Sequence, residues 1–122
     1  MRINEGVHII THDGGVWVLR HLDNKYKNID LFKNVSIGNN VHIGTNAIIM
    51  PGVHIGNNSI IGCGAIVTKN IPDNSIAVGI PARVIETINE YVNKHKNEFV
   101  DTKSMSYNEK RHFLLSKKFT DI

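Results

Sequence analysis

Residues 35–70 read VSIGNN (35–40), VHIGTN (41–46), AIIMPG (47–52), VHIGNN (53–58), SIIGCG (59–64) and AIVTKN (65–70), six blocks of six residues. The first place of each block holds Val35, Val41, Ala47, Val53, Ser59 and Ala65, and continues at Ile71. The third place holds Ile37, Ile43, Ile49, Ile55, Ile61 and Val67, and fails at Asp73. Residues one and three of a strand point to the same face, so each block offers one small or medium and one large aliphatic side chain to a common core. The fourth to sixth places are rich in Gly and Asn, which tolerate the left-handed backbone of a sharp turn. A short strand and a turn every six residues make a prism in which three blocks close one coil of 18 residues. Coils then stack at strand spacing, about 4.8 Å. This predicts inward ladders of Ile37 over Ile55, Ile43 over Ile61 and Ile49 over Val67. A repeat of this kind buries as a stack what no single block buries alone. Its period does not set the hand of the coil, since parallel crossovers are ordinarily right-handed.

Outward from the repeat, residues 5–10 fit the same frame, with Val7 and Ile9 inward. The period then lapses over about residues 13–34, read as a long loop leaving the prism; long ordered loops are usually functional. After Arg83 the pattern becomes helical, with Ile88, Tyr91, Val92 and His95 at i, i+3, i+4, i+7 spacing. A second helix is expected from Ser106, with Glu109 completing a capping box, running through Phe113, Leu114 and Phe119. Residues 1–85 are thus read as the β-helix with its excursion, and residues 86–122 as a helical segment.

The formal charge is +3, split as 7 − 5 = +2 over residues 1–85 and 7 − 6 = +1 over residues 86–122. No basic stripe emerges, which excludes a nucleic-acid partner as the leading expectation. The lone Cys63 rules out an intramolecular disulfide and a Cys-rich zinc site. No apolar run approaches the roughly 20 residues that span a bilayer. The start, MRINEGVHII, has neither a charged n-region nor a long apolar core, so a cytoplasmic protein is expected.

The blocks from Asn34 to Ile85, and above all the ending VTKNIPDNSIAVGIPARVI (67–85), resemble the hexapeptide-repeat acyltransferases. The likeness is to sugar, galactoside and maltose O-acetyltransferases and to xenobiotic acetyltransferases. The resemblance implies a left-handed parallel β-helix. It also implies a homotrimer with active sites between neighbouring subunits, and acetyl-CoA as co-substrate. The expected activity is acetyl transfer to a hydroxyl of a sugar or cell-surface glycan precursor. Family members carry further coils ahead of the loop, where this chain has about ten residues. Two alternatives therefore stand beside the enzyme: a shortened, non-catalytic trimeric scaffold, and an N-acetyltransferase acting on an amino-sugar or an antibiotic.

The resemblance also carries site residues. His12, in Ile10-Thr11-His12-Asp13, matches the catalytic His that stands where the family's chain leaves the β-helix. A hydroxyl must lose its proton as it attacks a thioester, and a neutral imidazole, with a reference pKa of roughly 6.5, is the usual acceptor. Asp13, Trp17 and Arg20 are candidates for the acceptor site; Asp13 reads equally as a turn former before Gly14-Gly15, and Trp17 as a residue packed on a neighbouring subunit. Thr45, Cys63, Thr68, Lys69 and Arg83 match acetyl-CoA contacts. Thr45 and Cys63 lie 18 residues apart on one edge for the pantetheine arm, and Thr68 and Lys69 near the adenosine end. Arg83 suits a phosphate, whose geometry a guanidinium matches. His42 and His54 with His8 would be needed for a metal site like that of the γ-class carbonic anhydrases, but their spacing does not match one, so no metal is expected.

Overall fold

In the computed structural model, residues 1–116 are described. Strands β1 (Arg2–Ile3) and β2 (His8–Ile9) precede helix α1 (Val16–Leu22). Six two-residue strands follow: β3 (Ser36–Ile37), β4 (His42–Ile43), β5 (Ile48–Ile49), β6 (His54–Ile55), β7 (Ile60–Ile61) and β8 (Ile66–Val67). Strands β9 (Ser75–Val78) and β10 (Arg83–Thr87) then lead to helices α2 (Ile88–His95) and α3 (Tyr107–Ser116).

The strands line three parallel faces: β1-β4-β7-β9, β2-β5-β8 and β3-β6, with β10 added antiparallel to β9. The three expected ladders form as read, with Ile37 paired to Ile55, Ile43 to Ile61 and Ile49 to Val67. Ile43, Ile49, Ile55, Ile61 and Val67 are fully buried, each flanked by a first-place Val, Ala or Ser. Val7 packs on this core from the first coil; Ile9 keeps register over Ile49 yet remains 43% exposed at the end of the prism. The buried Ser59 is satisfied, its hydroxyl lying 3.1 Å from Asn57 O and 3.2 Å from Pro72 O.

The turn chemistry resolves to single places. Asn40, Asn46, Asn58, Gly6, Gly52 and Gly64 all have positive φ, and all occupy the sixth place of a block. The fourth-place glycines have a different task. A Cβ on Gly44 would stand 2.6 Å from Cys63 N, and one on Gly56 2.5 Å from Asp73 N, because the turn of the next coil lies directly against them.

Three readings of the sequence are corrected. Ile71 is not a first-place residue: it bridges Ile55, and Ile76 pairs with Ile60, so this coil has an offset of 16 residues rather than 18. Two residues are missing after β8, which puts Ile71 at a third place and Asp73 in a turn, where its carboxylate accepts the N–H of Asn57 at 2.7 Å as Asn57 Oδ1 accepts that of Asn39. The stretch 13–34 is not an irregular loop throughout, since it holds α1 and a 3-10 turn at Asn24–Tyr26. The helical segment does not open at residue 86, since Glu86 and Thr87 still belong to β10; the first helix starts at Ile88, the first residue of the expected helical spacing.

By backbone proximity the chain divides into two compact units, Met1–Asn89 and Glu90–Ile122. In the second, α3 opens with the expected Ser106 cap, whose Oγ accepts the N–H of Glu109 at 3.2 Å. Phe119 lies outside the described residues. No helix among the described residues is long and apolar enough to cross a membrane.

Candidate active site

The prism has three corners, each a stack of turns. The first follows β1, β4 and β7 and carries Thr45 and Cys63. The second follows β2, β5 and β8, and the third carries the paired amides of Asn40 and Asn58 (2.9 Å). The excursion leaves and rejoins the prism at the second corner. Its foot is an antiparallel clamp in which Asp13 N donates to Leu31 O and Lys33 N donates to Thr11 O, both at 2.9 Å, around a bridge of His12 to Phe32.

A cleft of about 440 Å³ opens beside this clamp. His12, Asp13 and Gly14 form one side, Met50 and Pro51 the turn of the next coil, and Thr68 the coil below; Leu31 and Lys33 complete it. The His12 imidazole makes no hydrogen bond or ion pair with any described residue. Both ring nitrogens are therefore without a partner among the described residues. Asp13 does not orient it: Asp13 Oδ1 accepts the N–H of Gly15 at 2.8 Å and closes the turn into α1.

The excursion is braced from within. Arg20 donates through Nε to Ile29 O at 2.7 Å and through Nη2 to Asp30 at 2.6 Å, tying α1 to the returning segment. That guanidinium is thus committed to the loop rather than held out for an acceptor. Trp17 is 60% exposed, stacks on His21 with ring centroids 4.4 Å apart, and does not line the cleft.

The residues matched to acetyl-CoA fall on two corners. Thr45 and Cys63 are exposed on the first, where Thr45 O accepts the N–H of Gly64 at 2.8 Å. Thr68, in the cleft, and Lys69 are exposed on the second. Arg83 is exposed at the head of β10, paired with Val78. Within one chain the face β2-β5-β8 separates the two corners. His42 and His54 lie on different faces, and His54 Nδ1 is 2.7 Å from Ser36 Oγ. Among the described residues no three His, Cys, Asp or Glu side chains gather where they could hold a metal ion. Sequence reading passed over Lys33, Met50 and Pro51 as cleft residues; Met50 and Pro51 have a signal in the period, 18 residues before Thr68 and Lys69, but Lys33 has none.

Residues 34–69 match the family model described as bacterial transferase hexapeptide (six repeats). Protein CapG of Staphylococcus aureus is 50% identical over 115 residues, 94% of this chain and 65% of that protein. A maltose O-acetyltransferase structure from Clostridium difficile 630 superposes with a TM-score of 0.57 at 41% identity, over 70% of this chain and 44% of that one. A galactoside acetyltransferase in complex with coenzyme A gives 0.57 at 40% identity, over 85% of this chain and 52% of that one. The chain thus spans less than two thirds of the length of each of these relatives. Residues 34–69 carry the repeat of the hexapeptide transferases, and the fold is the left-handed parallel β-helix of these solved acetyltransferase structures.

Proposed function

We propose that this chain transfers an acetyl group from acetyl-CoA to a hydroxyl of a sugar or glycan precursor, with His12 as general base. The observation that carries this reading is the unpartnered His12 imidazole in a cleft at the foot of the excursion. The acceptor oxygen attacks the thioester carbonyl as His12 takes its proton. The C–S bond then breaks, and His12 returns the proton to the departing CoA thiolate, leaving an O-acetyl ester and the free thiol. No covalent acyl-enzyme is needed, so the exposed Cys63 has no nucleophilic role.

The split of the cofactor residues favours a homotrimer. Thr45 and Cys63 can act on the same acetyl-CoA as Thr68 and Lys69 only if the first corner of one chain meets the second corner of another. A head-to-tail contact of that kind closes into a ring when its rotation is 120°. The small side chains on the first corner suit a narrow pantetheine arm, and Lys69 and Arg83 suit phosphates. The chemistry is assigned to residues 1–85 and a cytoplasmic location, where acetyl-CoA is made available.

The test is calorimetric titration with acetyl-CoA, with subunit mass measured alongside and turnover assayed on a panel of sugars. Binding at one site per subunit of a trimer, with sugar-dependent release of CoA thiol, is expected. A folded chain that binds no acetyl-CoA would overturn the reading.

A further inference from the structure

One lysine, Lys33, lines the cleft without forming an ion pair with any described residue. Within the excursion, residues 13–34, four Lys/Arg face three Asp/Glu, 4 − 3 = +1. Arg20 is spent on Asp30, and Lys25 stands 4.0 Å from Asp23. Lys33 pairs with no carboxylate among the described residues. It is also well anchored. Its backbone N–H donates to Thr11 O at 2.9 Å in the clamp beside His12. Its stem lies along Gly52, where an added Cβ would come within 3.2 Å of Lys33 Cδ, so the glycine leaves room for the lysine to run along the cleft wall. Asp13, the carboxylate lining the same cleft, is turned to the N–H of Gly15 and forms no ion pair with Lys33. A lysine ammonium recognises an anionic oxygen group, and one carried on the wall of a cleft that also holds His12 would seat that group near the hydroxyl that His12 deprotonates.

We infer that Lys33 is a specificity-determining residue and that the acceptor is an anionic sugar, carrying a carboxylate or a phosphate near the reacting hydroxyl. This rests on the acetyl-transfer reading above and narrows its substrate class. The sequence pattern does not mark Lys33, and Lys33 takes no part in the proton transfer.

The test uses matched acceptors that differ only in charge: methyl pyranosiduronates against their C6 carboxamides, and glycosyl 1-phosphates against methyl glycosides. Each is assayed with the wild-type chain, Lys33→Met and Lys33→Arg. In one of the two sets, kcat/KM for the anion is expected to exceed that for its neutral partner by about tenfold or more. The preference should vanish in Lys33→Met, persist in part in Lys33→Arg, and leave the KM for acetyl-CoA unchanged. Which set shows it identifies carboxylate or phosphate as the anion. Equal use of charged and neutral acceptors by the wild-type chain would overturn the inference while leaving acetyl transfer intact. So would a Lys33→Met variant whose only defect is a raised KM for acetyl-CoA, since the anion recognised would then be the CoA phosphates. Acetyl-CoA binding with no transfer to any acceptor would remove the acetyl-transfer reading itself, and this inference with it.

Discussion

At the scale of single residues, His12 has the most to lose by substitution. It is held by its backbone bridge to Phe32, and its ring has no structural partner to strand. His12→Ala should therefore fold normally and bind acetyl-CoA as before, while turnover falls on the order of 100-fold, about 2.7 kcal/mol of transition-state stabilisation. Steady-state kinetics beside a calorimetric titration separates the two effects; undiminished turnover would sink the assignment. Asn58 offers a purely structural counterpart. At φ 53° it sits in the left-handed region that Gly and Asn tolerate and β-branched residues do not. Asn58→Val should lower stability by about 1–2 kcal/mol, through backbone strain and the loss of its side-chain bonds to Asn40 and Asn74, whereas Asn58→Gly should lose less. Equal denaturation midpoints for the two variants would show that strain is not the governing cost.

At the scale of elements, what could be read from the chain depends on whether the period holds. The ladder pairs from Ile37 to Val67 were legible because each strand repeats one packing problem at a fixed step. Ile71 and Asp73 were misread because the step was carried through a turn that is two residues short. Helix α1 was illegible for another reason. Its seven residues, VWVLRHL, are too few to show a 3.6-residue period, and its position depends on the Arg20–Asp30 bond across the excursion. Lys33 followed the same excursion and carried no pattern of its own. The separation of Thr45 from Thr68 was available from the period, since they occupy the fifth and fourth places of blocks on different corners. The tight turns also make a prediction. Gly44→Ala would drive a Cβ to 2.6 Å from the backbone of Cys63, with no flexible side chain to yield. It should destabilise by about 2 kcal/mol or more, seen as a lowered melting temperature. Gly64→Ala meets open space, so its cost should be limited to that of its positive φ, about 1 kcal/mol.

At the scale of the whole molecule, the core is a continuous column. Ile43, Ile49, Ile55 and Ile61 are all fully buried, and every coil leans on the next. Ile43→Asp would place an unpaired charge between β1 and β7, where no polar partner is at hand. Loss of the folded state is expected, read as absent soluble protein or a collapsed far-ultraviolet spectrum. A folded Ile43→Asp chain would mean the inward register is wrong. Assembly belongs to this scale as well: if two corners of different chains complete the site, equimolar mixing of His12→Ala with Cys63→Trp subunits should restore part of the activity that each lacks alone. Co-expression followed by a turnover assay measures it, and no recovery from mixed oligomers would argue for a site within one chain.

Both departures from the 18-residue coil occur at the same corner. The pairing of His8 with Ile48 has an offset of 40 residues, 18 for the coil and 22 for the excursion, and the pairing of Ile60 with Ile76 has an offset of 16. The other two corners have fourth-place glycines pressed against the next turn; this one has Met50 and Thr68 instead. The prism thus has two stitched seams and one with slack. Length is gained and lost along the slack seam while the ladders from Ile37 to Val67 keep their 18-residue register, and the cleft beside His12 lies on it. A loop transplanted between Pro51 and Gly52 would enter the same seam one storey down, so a chain of this architecture can acquire a new surface by lengthening a corner while its column stays as it is.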